Sequence, residues 1–186
     1  MRELIVTEFI TLDGVIEAPG GEPTHPHTGW TIDFAGPEQM QYKLDEVLEA
    51  EALLLGRKTY EGFADAWTPR EGEFADKMNA MPKFVASTTL TELDWNATLL
   101  EGDVPAAVAD VKQLDGGAIL VAGSATLAHT LIEHDLVDEY RLMIFPVVLG
   151  SGKRLFPDSP DKRTLRLVEA KQFPAGVVVH HYRPAA

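Results

Sequence analysis

The chain has 186 residues, 45% of them apolar and 24% charged, and a net charge of −13. That size suits a single domain spanning 1–186 with a core of its own. Its acidic field repels phosphate backbones, which argues against nucleic acid as a partner, while a small phosphorylated ligand needs only local cations and amides.

Cysteine is absent, so disulfides, cysteine zinc sites and a cysteine nucleophile are excluded, in keeping with a reducing interior. The first apolar run is too short and meets an acid too early for a signal peptide. No stretch approaches the ~20 apolar residues of a membrane span. The expectation is a cytoplasmic protein without membrane contact.

Residues 3–12, ELIVTEFITL, are β-branched and aromatic and predict a largely buried first strand. DGVIEAPGGEPTHPHTGW follows, too rich in Gly and Pro for regular structure. A loop of that length in a compact domain is usually functional. Residues 36–50 predict a helix with Pro37 at its first position and Met40, Leu44, Val47 and Leu48 on one face. ALLLG (52–56) predicts a buried strand. RKTYEGFADAW starts helically and is expected to break at Gly62, and EFADKMNAM is a second helical piece ahead of Pro82. KFVAST (83–88) and the weaker ATLL (97–100) predict strands, with a helix capped by Asp103 over 103–114. AILVAG (118–123) is a strand, and 124–134 a helix with Leu127, Leu131 and Ile132 facing the core.

The last fifty residues hold three strand-like segments and no helix. Alternating strands and helices that end in antiparallel ribbons predict an α/β fold, three-layer α-β-α, with a mixed sheet.

Some motifs fail on inspection. GSGKR (150–154) has Val147 and Arg154 where a phosphate-binding P-loop needs Gly and Ser or Thr. No GxGxxG follows the first strand, and no Ser-x-x-Lys or Gly-x-Ser-x-Gly supports acyl transfer. His25 and His27 share a loop, and His180 and His181 point to opposite strand faces. No metal site is predicted from them.

Three strand ends remain. LLLGRKTYEGF (53–63) passes through Gly56 into a helix that opens with Arg57, Lys58 and Thr59, a phosphate socket of amides, cations and a hydroxyl. KFVASTTL (83–90) delivers Ser87 and Thr88. In LVAGSATLAHTLIEHDLVDEYRL (120–142) a strand turns into a helix through Gly123, Ser124, Ala125 and Thr126. Any one of these is most simply a packing device. Together they fit a ligand with several phosphates, because ligands of open α/β sheets gather at the carboxyl ends of strands.

With TLDGVIE and PVVLGSGKRLF, these stretches resemble in order the dihydrofolate reductase-like superfamily. The nearest branch is similar to the C-terminal reductase domain of bifunctional riboflavin-biosynthesis deaminase-reductases. The resemblance implies an NADPH-dependent reductase acting on a small heterocyclic or sugar-phosphate substrate, and a homodimer. It implies that Gly56 makes the turn, that Arg57 pairs with the 2′-phosphate, with Lys58 beside it, and that Thr59 contacts the pyrophosphate. Ser87 and Thr88 lie along the adenosine, and Gly123, Ser124, Ala125 and Thr126 give their amides to the pyrophosphate. Ile16 packs near the nicotinamide, and Asp13 is the acid expected nearest the reacting centre. An Asp-Gly pair is also a common turn former. Trp30 and Phe34 either stack on the substrate or anchor the long loop, and Gly150 and Ser151 lean toward the substrate or form an ordinary turn. Two other readings stand beside this one: a dimeric ligand-binding protein without catalysis, and a dihydrofolate reductase. Gln39 or Met40 occupies the place of the pterin-gripping acid, which weakens the second.

Overall fold

A computed structural model describes residues 1–159 and 161–185. Its strands are β1 (Leu4–Thr11), β2 (Ala52–Gly56), β3 (Lys83–Ala86), β4 (Ala97–Leu99), β5 (Ile119–Ala122), β6 (Glu139–Phe145), β7 (Leu165–Gln172) and β8 (Val178–Pro184). The helices are α1 (Pro37–Glu49), α2 (Arg57–Trp67), α3 (Glu73–Ala80), α4 (Val104–Gln113) and α5 (Ala125–Glu133). One sheet runs β4-β3-β2-β5-β1-β6-β8-β7. The first six strands pair in parallel, and β8 runs antiparallel to both β6 and β7. The carboxyl ends of β4, β3, β2, β5, β1 and β6 therefore share one edge, and every candidate junction falls along it.

Alternation of side chains across the strands builds the three layers. Leu53, Leu55 and Val85 pack with Val47, Tyr60 and Met78 of α1, α2 and α3. Leu4, Val6, Leu54 and Val121 point the other way, onto Val108 and Val111 of α4 and Leu127 and Leu131 of α5. A third cluster, Trp30, Met143, Phe145, Phe173, Val177 and Val179, closes the β6–β8 side. No helix among the described residues is long and apolar enough to cross a membrane.

Two helices depart from expectation. Gly62 does not break α2, which continues to Trp67. A glycine inside a helix costs about 1 kcal/mol, and packing of Tyr60, Phe63 and Trp67 into the core outweighs it. In α1 the expected apolar face turns partly outward, with Met40 67% and Leu48 39% exposed. Val47 is buried as expected, in company with Gln39 and Glu46. The helix thus faces hydrocarbon at Val47 and polar neighbours at Gln39 and Glu46.

Candidate functional site

Four helices, α1, α2, α4 and α5, start at the shared edge, and α1 opens from Gly36 with Pro37 at its first turn and no side-chain cap. Asp103 caps α4, its carboxylate accepting the Ala106 N–H at 3.2 Å. Neither α2 nor α5 has a side-chain cap. Strand order makes these two neighbours, and side chains tie them: the Gly56 N–H donates to Ser124 Oγ at 2.9 Å, and the Ser124 N–H to Thr59 Oγ1 at 3.0 Å. Ser124 stands at the N-cap position but is left-handed, at φ 58°, and its hydroxyl faces β2 rather than its own helix. Gly123 is also at φ +58°, and a Cβ there would lie 3.2 Å from the Thr59 side chain. Two sets of first-turn amides, including those of Arg57, Lys58, Ala125 and Thr126, are left facing the same edge with their dipoles aligned to favour an anion. Arg57 and Lys58 are exposed, and the Arg57 guanidinium is a loose 3.6 Å from Glu61.

Several expected residues are engaged elsewhere. The Ser87 hydroxyl accepts the N–H groups of Thr89 (3.1 Å) and Leu90 (3.0 Å), closing a turn after β3, and Thr88 is exposed. The Thr59 hydroxyl oxygen accepts the Ser124 N–H and so positions that amide, while its own O–H stays available to donate.

Asp13 is an anchor. Its carboxylate accepts from Thr11 Oγ1 (2.6 Å), the Leu149 N–H (3.2 Å) and the Gly150 N–H (2.8 Å). The Thr11 bond, with help from the two amides, pulls its pKa down to about 2. An acid so held is ionised at neutral pH and ties the turn after β1 to residues 149–150. Gly150 and Ser151 share in the same loop-to-loop seam: Gly150 gives its amide to Asp13, and Ser151 meets the His25 ring at 3.1 Å through its carbonyl. The seam continues where the Lys153 N–H reaches Glu17 and Arg154 the Asp13 carbonyl.

Trp30 anchors the long loop. It is 8% exposed, donates its indole N–H to the Glu17 carbonyl at 2.8 Å and meets Phe145 edge-on. It therefore presents no face to a ligand. Phe34 is half-buried against the same Phe145, and Ile16 is buried with Leu155 in the α4–α5 core.

The structure also assembles polar groups the sequence reading passed over. From α1, Lys43 Nζ donates to Thr7 Oγ1 at 2.7 Å and pairs with Glu46, and the Thr7 hydroxyl donates to Glu46 Oε2 at 2.9 Å. Arg141 faces the other Glu46 oxygen at 3.8 Å. Buried Gln39 Nε2, Glu46 Oε1 and Glu8 Oε1 have no hydrogen-bond partner among the described residues. The signal was there as polar residues at helical spacing, 39, 43 and 46, and as Thr7, Glu8 and Thr11 inside an otherwise apolar strand.

Comparison with known proteins fits this geometry. A family model described as the RibD C-terminal domain matches residues 2–179. The chain belongs to the RibD C-terminal domain family. It is 31% identical to the uncharacterized protein YyaP of Bacillus subtilis, covering 97% of this chain and 95% of that one. Against YwjB of the same organism it is 30% identical, with 98% of each chain covered. A putative riboflavin biosynthesis protein from Shewanella superposes over the full length of both chains with TM-score 0.76 at 19% identity. A Thermotoga maritima diaminohydroxyphosphoribosylaminopyrimidine deaminase/5-amino-6-(5-phosphoribosylamino)uracil reductase gives 0.69 at 15% identity, over 99% of this chain and 57% of that longer one. The RibD-type reductase fold, with its antiparallel C-terminal strands, is therefore the frame that carries the edge described above.

Proposed function

We propose that this RibD C-terminal family member is an NADPH-dependent reductase of a small heterocyclic or sugar-phosphate substrate, similar to 5-amino-6-(5-phosphoribosylamino)uracil reductase. One observation carries the reading: two adjacent helix starts, cross-tied through Gly56, Ser124 and Thr59, leave their amides without caps. The residues fit the group. The left-handed turn at Gly123 packs so closely on Thr59 that a Cβ would press on it, the α5 amides suit the diphosphate, and exposed Arg57 suits the 2′-phosphate.

Bound reduced dinucleotide supplies hydride to a C=O or C=N carbon. The chain's own share is placement. Thr59 and Ser124 hold the phosphate-side backbone, Asp13 and His25 pin the two loops beside β1, and the Lys43–Thr7–Glu46 group offers charged and polar contacts next to Phe9. Gln39, at the first turn of α1, is an amide where a pterin-gripping carboxylate would be needed, so a folate substrate is not favoured.

Fluorescence titration with NADPH and NADH tests the cofactor. Wild type should prefer NADPH, and Arg57→Ala should lower NADPH affinity about tenfold, the worth of a hydrogen-bonded charge near 1.5 kcal/mol, while leaving NADH little changed. Wild-type protein that binds neither nucleotide at millimolar concentration would remove the reductase reading.

A further inference from the structure

Glu8 sits where two strands part. β1 pairs with β5 only from Leu4↔Ile119 to Thr7↔Ala122, but stays with β6 through Thr11↔Phe145. One step beyond the last β1–β5 pair, Glu8 stands beside Gly123, whose N–H is the backbone donor in its reach. The side chain is 5% exposed, and its Oε1 is buried without a partner. Leu142 is its register neighbour on β6. The charges that act on it are on α1, across the sheet beside Thr7: Lys43, already bound to Thr7 and Glu46, and Glu46 itself. Among the described residues Glu8 has no ion pair of its own.

We propose that Glu8 is a neutral carboxylic acid that meets the bound dinucleotide as a hydrogen-bond donor beside Gly123, and that its ionisation expels that anion. The inference rests on the reductase reading and adds a residue to it. An ionised Glu8 would take the Gly123 N–H on which close phosphate approach depends. It would also set a second negative charge beside the first in a water-poor wedge, where repulsion is strong. The neutral acid releases the amide and offers its O–H from the unpartnered oxygen. Burial, the dominant influence, pushes the Glu8 pKa well up, against the opposing pull of the Gly123 amide and Lys43, and Glu46 adds to the rise. Asp13, five residues along, is the converse: three donors keep it charged.

The test is calorimetric titration of NADP⁺ into wild type and Glu8→Gln from mildly acidic to alkaline pH. Wild-type affinity should fall about tenfold per pH unit once Glu8 ionises, and Glu8→Gln should hold its affinity across that range. A flat wild-type profile, or the same fall in Glu8→Gln, overturns the proposal while leaving the reductase reading standing. Failure of NADP⁺ to bind wild type at any pH removes both. Should the Gln variant not fold, the Glu8 carboxyl carbon followed by NMR in labelled wild-type protein decides the matter: it should be protonated at neutral pH, and an ionised signal there overturns the assignment.

Discussion

The carboxyl edge of the sheet treats its backbone amides in two ways. At the start of α4, after Ser87 and at residues 149–150, the chain fills them itself, with Asp103, the Ser87 hydroxyl and Asp13. At the starts of α2 and α5 it does not, although Ser124 stands in position to cap and turns its hydroxyl to Gly56 instead. A side-chain cap contributes roughly 0.5–2 kcal/mol, so two adjacent starts without one forgo stability that the fold secures elsewhere. Packing alone gives no reason for that difference. On the proposed reading, a ligand that supplies its own negative charge does, and it would sit at β2 and β5 rather than at β4.

The sharpest way to break the contrast is Gly123→Ala. A left-handed backbone with a Cβ costs about 1–2 kcal/mol, and that Cβ would press on Thr59 at 3.2 Å. NADPH affinity should drop more than tenfold in a fluorescence titration run well below the melting temperature, with stability lowered as well. Unchanged affinity would show that the uncapped starts are not the phosphate site.

Asp13→Asn probes an edge amide pair that is already satisfied, and its effect should be smaller and fall mainly on stability. One amide oxygen cannot replace two carboxylate oxygens that serve Thr11, Leu149 and Gly150, so a loss of roughly 1 kcal/mol is expected in denaturant unfolding at neutral pH. The pH sign follows from the shift. The folded-state pKa, near 2, lies below the ordinary 3.8, so wild type holds this contribution in full above the ordinary value and loses it as pH falls toward 2. The variant should lack that acid-side decline. A variant that keeps full stability but loses turnover would return Asp13 to the chemistry.

Much of the edge was legible in local sequence. ALLLG, AILVAG and the residues after them announce buried strands running into glycine turns and helix starts, and those signals span only a few residues. What escaped notice depends on contacts between distant segments. Glu8 has no local signal for burial; only the fold sets it beside β6 and just past the end of β5, where it is 5% exposed. Trp30 could not be assigned to loop anchoring without Phe145, more than a hundred residues away. The apolar stripe of α1 was misread for the same reason: its inward face meets Thr7 and a buried ion cluster, so hydrophobic periodicity pointed the helix partly toward solvent. Gly62 failed as a helix breaker because tertiary packing of its neighbours exceeds its modest local cost.

The smallest effect belongs to Asp103→Ala. This cap is exposed and its hydrogen bond to the Ala106 amide is long, at 3.2 Å, so the loss should sit at the low end for caps, about 0.5–1 kcal/mol, read by thermal unfolding. NADPH affinity should stay at the wild-type value, since α4 opens after β4, the edge strand three places from β5. The pairing of this variant with Gly123→Ala separates general weakening of the edge from loss of a binding place. If removal of the α4 cap weakened NADPH as much as the added methyl at Gly123 does, the edge would respond as one mechanical unit, and the missing caps at α2 and α5 would no longer distinguish a phosphate site from its neighbours.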